Sequence, residues 1–309
     1  MSSRHEWEGV HMLKNQDIQI RDPFVLPDNR EGKYYLYGST DTNVWGKGTG
    51  FSVYVGTDLK HWQGPFPVFS PDRDFYSEEN FWAPEVHPFR GKYYMFASFL
   101  RKDNKRRGTG ILVADSPMGP FEPHSEGPVT PKDWDALDGT FFVDPQEQPW
   151  MIFCREWVQV GDGEICAVRL SQNLKETLEK PRRLFRASEA PWTTPFYHPT
   201  KRSAQANYVT DGPFLFVSSS KKLMMLWSSF VNDKYALGVS HSLTGDVTGP
   251  WTHESSPLFK EDGGHGMLFK TFEGSLKLTL HCPNQTPMER PLFINVEEEN
   301  GKIKRLDEQ

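Results

Sequence analysis

Four acids and one histidine open five similar stretches of the chain. They are Asp22 in RDPFVL, Glu85 in APEVHPF, Asp138 in LDGTFFV, Asp211 in TDGPFLF and His265 in GHGMLF. Each acid has Gly or Pro beside it, His265 has Gly on both sides, and an apolar run follows each. A single aspartate before Gly or Pro reads as a turn former. Recurrence at the start of a repeating unit reads differently. If the units are arranged radially, their starts converge on an axis and the side chains meet in one pocket. Carboxylates crowded together push one pKa upward, as proton transfer near neutrality requires.

The elements that must position these residues are short strands. A second strand-like run follows each opening (KYYLYGS, KYYMFAS, PWMIFCR, KLMMLWSS, LKLTLHC), and a third closes most units (GFSVYVGT, GILVADS, EICAVRL, YALGVSHS, PLFINVE). Five copies of a multi-stranded unit predict an all-β, five-bladed β-propeller forming a single domain over residues 1–309. The blades are expected at about 18–69, 80–123, 135–179, 210–254 and 263–303. The turns DLKHW, SPMGPF and TGPW each place an aromatic after a third strand, where it would plug the gap between blades. SQNLKETLEK is the one helix-like stretch, with a plain turn competing. The basic run at 101–107 (RKDNKRR) reads as a solvated hairpin loop. Residues 180–210, with Pro181, Pro191, Pro195 and Pro199, read as a long crossing loop of the kind that often carries function.

Composition narrows the function classes. The chain has 309 residues, enough to bury a real core. Its 22 Phe, 10 Tyr and 10 Trp suit both blade packing and stacking on sugar rings. A net charge of −6 without a long basic block argues against a nucleic-acid partner. No stretch reaches the length of a membrane span, and MSSRHEWEGVHMLKN lacks the apolar core of a secretory leader. The expectation is a cytoplasmic protein, or a secreted or periplasmic one if a leader has been removed. The oligomeric state is unknown from the sequence. Three cysteines, Cys154, Cys166 and Cys282, form neither a zinc motif nor a disulfide framework, with one bridge open between Cys154 and Cys166 if they lie on adjacent strands.

The ordered set Arg21-Asp22-Pro23, Phe81-Trp82-Ala83-Pro84-Glu85, Leu137-Asp138-Gly139, Asp211-Gly212-Pro213 and Gly264-His265-Gly266 resembles glycoside hydrolase family 43. That family comprises propeller arabinanases, α-L-arabinofuranosidases and β-xylosidases, and the resemblance spans about 18–300. It implies an inverting hydrolysis of arabinofuranosyl or xylosyl linkages in plant cell-wall polysaccharide or oligosaccharide. An inverting pair of carboxyls stands roughly 6.5–9.5 Å apart to admit water. By the same resemblance, Asp22 matches the general base and Asp138 the acid that raises a neighbour's pKa and holds it in place. Asp211 falls where the family usually carries a glutamate as general acid. The missing methylene shortens its reach; Asp211 is still the expected acid, with Glu189 in SEAPW as the alternative. Trp82 and Phe81 match an aromatic wall of the sugar pocket, Trp192 is a second platform, and Arg290 matches an arginine that holds the sugar. Asp41 in GSTD is a candidate for a sugar hydroxyl, with a plain turn role competing. The resemblance implies no cofactor for the chemistry, and a structural Ca²⁺ at the axis that His265 helps to hold, mostly through waters, with a plain turn role for His265 competing. Two other readings stay open. One is a sugar-binding propeller without turnover, suggested by aspartate at 211. The other is an invertase-like retaining propeller, although the Asn-Asp-Pro-Asn opening of that group is absent.

Overall fold

The structure, a computed structural model, describes residues 12–202 and 204–306. Five antiparallel sheets follow one another along the chain, each built on a meander of four strands consecutive in sequence. Their innermost strands are Arg21–Asp28, Ser77–Phe89, Ala136–Val143, Asp211–Val217 and Gly264–Lys270. Each packs beside the next, and the strand of blade five packs beside that of blade one, closing the ring. The architecture is a five-bladed β-propeller.

Blades two to five have four strands. Blade one has a fifth, Leu13–Lys14, which precedes its inner strand in sequence and pairs with the outer strand His61–Phe69. The following turn, Asn15–Asp17, reaches blade five, where Arg290 donates to the Gln16 carbonyl at 2.7 Å. The lead-in segment thus ties the first blade to the last.

Second strands lie between neighbouring blades and are buried on both faces. Met151, Ile152, Phe153 and Cys154 are all inaccessible, so this strand reads as an unbroken apolar run rather than an alternation. Trp62 of DLKHW is fully buried and stacks on Phe293 of blade five, with ring centroids 6.0 Å apart. It fills the seam between blades, as expected.

Several local expectations are corrected. SQNLKETLEK forms turns, and the α-helix among the described residues is Trp157–Val160. Cys154 and Cys166 lie on adjacent strands but staggered, Cys154 facing Ile165 and Cys166 facing Phe153. Successive residues of a strand point to opposite faces, so the two thiols diverge and both are free. The crossing loop is shorter than expected, because Arg182–Arg186 forms the outer strand of blade three. The basic run is solvated only in its middle, since Arg101 is buried and Arg107 reaches the axial cavity.

Candidate active site

Every inner strand carries a β-bulge near its start. Pairing with the second strand slips between Arg21 and Phe24, Trp82 and Glu85, Leu137 and Thr140, Asp211 and Phe214, and Gly264 and Met267. The first extra residue of each bulge is left-handed: Asp22 (φ 54), Ala83 (φ 48), Asp138 (φ 57), Gly212 (φ 49) and His265 (φ 49). For a residue with a side chain this conformation costs roughly 1–2 kcal/mol. Its recurrence in all five blades marks it as the device that turns these side chains toward the axis.

This register corrects the repeat read from the sequence. Glu85 lies two residues beyond the bulge position of blade two, and Asp211 one residue before that of blade four. Glu85 stays outside the pocket, where its carboxylate accepts from Thr140 Oγ1 at 2.6 Å and pairs with His87 at 2.9 Å. Asp211 instead shares its position with Arg21, Trp82 and Leu137, and all four line the central cavity.

Two nested rings result. The inner one holds Asp22, Asp138 and His265, with small residues at the other two positions. His265 Nδ1 lies 3.1 Å from Asp22 Oδ1 and 3.7 Å from Asp138 Oδ2. Gly212 makes room for this ring: a Cβ there would stand 2.6 Å from the imidazole. The outer ring contributes Arg21, Trp82 and Asp211 to a cavity of about 490 Å³, within the usual size range for small-ligand sites.

Asp22 and Asp138 are buried, Asp211 is half-buried, and the three are differently charged. Burial by itself would raise Asp22, but the charge and hydrogen bond of His265, with His281 and Arg21, hold it far below the usual carboxylate range. Burial pushes Asp138 up to about 8, opposed by His265 and reinforced by Asp211 and Asp22. Burial also raises Asp211 to about 6, again opposed by His265 and reinforced by Glu156, while a hydrogen bond from Tyr235 limits the rise. The Tyr235 hydroxyl donates to Asp211 Oδ2 at 3.1 Å. His265 is raised to about 10: burial works against its charge, but the three aspartates outweigh it. The site thus holds one carboxylate kept ionised and two carboxyls raised toward carrying a proton, on three different blades. That is the division of labour acid–base hydrolysis requires.

Among the other expected residues, only Trp82 lines the cavity. Its indole N–H donates to the Val44 carbonyl, Arg107 stacks over its face at 4.7 Å, and Trp45 meets it edge-on at 5.2 Å. Trp45 is 59% exposed and forms the rim. Phe81 points to the opposite face of its strand, into the cluster of Phe51, Phe69, Phe75 and Phe99. Trp192 is buried against Trp227, at 4.8 Å. Arg290 donates to the carbonyls of Gln16, Pro287 and Glu289, and Asp41 accepts from Thr49 to brace the loop that carries Trp45. Glu189 accepts from the Arg186 amide on an exposed turn. None of these five lines the pocket. The crossing loop contributes Phe196, His198 and Lys201 instead.

Four further residues come into view only in the fold. Arg21 is fixed by Glu289 at 2.7 Å and Asn284 at 2.8 Å, beside Asp22. Glu156 is buried, raised by that burial and paired with Arg107 at 2.6 Å. Tyr235 comes from a third strand and stacks on His281 at 5.6 Å. Arg21, Arg107 and Tyr235 stood within quoted stretches, but nothing in the pattern marked Arg107 or Tyr235 as axial, and Glu156 lay outside all of them.

A set of direct protein oxygen ligands for the expected axial Ca²⁺ is not assembled among the described residues. Calcium takes six to eight oxygen ligands, whereas Asp22 and Asp138 are turned onto the His265 imidazole. The described residues hold no group of three or more His, Cys, Asp or Glu that could ligate a metal.

A propeller whose blade starts bring an ionised and a protonatable carboxyl into one cavity defines a carboxylate-based glycoside hydrolase. The model for Glycosyl hydrolases family 43 matches residues 17–298. The chain belongs to this family and is an inverting glycosidase. The structure of an endo-arabinase from Bacteroides thetaiotaomicron superposes with a TM-score of 0.87 at 39% identity, covering 96% of this chain and 100% of that one. An extracellular endo-α-(1→5)-L-arabinanase of Bacillus subtilis (strain 168) is 22% identical over 256 residues, 79% of this chain and 71% of that protein. A structure described as an endo-1,4-β-xylanase from Bacteroides thetaiotaomicron shares the fold at 23% identity and a TM-score of 0.76, covering 96% of this chain and 97% of that one. No helix among the described residues is long and apolar enough to cross a membrane.

Proposed function

We propose that this enzyme hydrolyses α-L-arabinofuranosyl linkages of arabinan or its oligosaccharides, with Asp22 as general base, Asp211 as general acid and Asp138 as the carboxyl that tunes the acid. The observation carrying this reading is the opposite displacement of two carboxyls lining one cavity, Asp22 downward and Asp211 upward to about 6. Asp22 takes a proton from water as the water oxygen bonds to the anomeric carbon. On the opposite face the glycosidic C–O bond breaks, and Asp211 gives its proton to the departing oxygen. Burial, with the charges of Glu156 and Asp22, disfavours ionisation of Asp211 and keeps it protonated up to about its raised pKa. Arg21, held between Glu289 and Asn284, gives Asp22 a fixed positive neighbour. The flat faces of Trp82 and Trp45 suit the C–H surface of a pentose. The arabinose preference rests on the 39% identical endo-arabinase, which is aligned over its whole length.

The test is incubation with linear arabinan and with xylan, following the first anomer released by ¹H NMR. Arabinan cleavage with inverted configuration is expected. Cleavage of xylan alone would move the substrate to xylosides. Sugar binding without release of any product would make the protein a sugar-binding propeller.

A further inference from the structure

The two rings are joined by a set of hydrogen bonds between blades. From the second strand, the residue facing the start of each bulge is Ser39, Ser98, Cys154, Ser228 and His281 in blades one to five. At four junctions it accepts the amide of the left-handed residue in the next blade. Ala83 donates to Ser39 Oγ, Asp138 to Ser98 Oγ and His265 to Ser228 Oγ, each at 2.8 Å. Across the closure, Asp22 donates to His281 Nδ1 at 3.1 Å. The junction from blade three to blade four is the exception. Its acceptor position holds Cys154, and the Gly212 amide turns to Asp138 Oδ2 at 3.1 Å. A thiol sulfur is a weak acceptor, so the carboxyl beside it wins the amide.

We propose that Cys154 is a positioning residue: by offering no hydroxyl, it leaves the Gly212 amide to Asp138, which then grips the peptide immediately following Asp211. The inference rests on the reading of Asp211 as general acid. It supplies a physical route by which Asp138 holds that acid in place, through the backbone rather than the side chain. Blade one displays the alternative. Ser39 accepts the Ala83 amide and donates to Asp22 Oδ2 at 2.7 Å, so a hydroxyl stands between amide and carboxylate. A serine at position 154 would stand in the same relation to Gly212 and Asp138. It would also keep the Thr210 side chain as a partner, as Cys154 does. The direct bond would become a two-bond relay, and Asp211 would be less tightly fixed relative to the leaving oxygen.

Cys154→Ser and Cys154→Ala separate this from packing. Serine is nearly isosteric but adds the acceptor; alanine leaves a small void but adds none. Misplacing a reacting group by about 1 Å can cost on the order of a hundredfold. We therefore expect Cys154→Ser to lose about tenfold or more in kcat on an α-1,5-arabino-oligosaccharide, with little change in KM. On a nitrophenyl arabinofuranoside, whose leaving group needs little protonation, it should stay within about twofold of wild type. Cys154→Ala should stay close to wild type on both. A packing role reverses the order, with alanine the worse variant and no dependence on leaving group, and that result overturns the proposal. A second measurement does not need turnover. In ¹⁵N-glycine-labelled protein, the Gly212 amide shift should follow a carboxyl titration in wild type and Cys154→Ala, and lose most of that dependence in Cys154→Ser. If the amide behaves identically in all three, the proposal is wrong. If wild type cleaves no pentoside, the substrate reading fails separately and the amide titration decides the role of Cys154.

Discussion

Replacing Tyr235 with phenylalanine should widen the active pH range on its alkaline side. The Tyr235 hydroxyl donates to Asp211 Oδ2 at 3.1 Å, and burial, reinforced by the three aspartates, holds its own pKa well above 10. It therefore stays a donor throughout the working range and favours the ionised form of Asp211. A hydrogen bond to a charged group contributes about 1.5–3 kcal/mol, and 1.36 kcal/mol corresponds to one pKa unit. Removing it should raise Asp211 from about 6 to roughly 7–8. A general acid works only when protonated, so activity falls as pH rises through its pKa. At pH 7.5 the protonated fraction would climb from about 3% to between about 25% and 75%, on the order of a tenfold gain relative to each enzyme's own optimum. The assay is the pH profile of kcat on an arabino-oligosaccharide for wild type and Tyr235→Phe, with a thermal melt to confirm folding. An alkaline limb that stays put or moves to lower pH would refute the assignment of Asp211 as the proton donor.

Asp22→Ala should lower kcat by about 10²–10⁴ while leaving KM nearly unchanged, since the bound sugar does not need the base. A variant keeping more than a tenth of wild-type rate would remove Asp22 from the mechanism. Gly212→Ala places a Cβ 2.6 Å from the His265 ring at φ +49. It should lower Tm by a few degrees and cut activity by displacing His265 from Asp22, and an unchanged melt would contradict this packing. Asp138→Asn should lose activity yet melt a few degrees higher at pH 8. The sign follows from a folded pKa of about 8: a buried carboxyl raised above its unfolded value becomes a growing liability as pH rises from about 4 to 8, and the neutral amide does not. Equal melts for the two proteins at pH 5 and pH 8 would count against the raised pKa.

How far the sequence revealed this site depends on the residue. Asp22, Asp138 and His265 were legible because a polar residue beside Gly or Pro marks the left-handed step of a bulge. Ala83 occupies the same step without any composition signal, so blade two was aligned on the nearest acid, Glu85, two residues too far along. In blade four the step falls on Gly212, and the acid one residue earlier looked equivalent. The error in register did not hide the chemistry, because Asp211 still enters the cavity from the outer ring. Phe81 and Trp82 show the limit of reading neighbours together, since adjacent strand residues face opposite ways. Arg107 was concealed in a run that resembles a solvated loop. Glu156 and Tyr235 reach the pocket from the end of a second strand and from a third strand, which a single sequence pattern does not connect to the axis. Glu189 and Trp192 were drawn in by the length of the crossing loop, part of which is the outer strand and adjoining turn of blade three.

The central claim, that Asp211 delivers the proton to the departing oxygen, is tested most directly by comparing Asp211→Ala on two substrates. A sugar hydroxyl cannot leave readily without protonation, whereas a nitrophenolate can. The account predicts a loss of about 10²–10⁴ in kcat on α-1,5-arabino-oligosaccharide and a much smaller loss on nitrophenyl α-L-arabinofuranoside. Equal losses on both substrates, or a leaving-group dependence that appears in Glu156→Gln but not in Asp211→Ala, would contradict it.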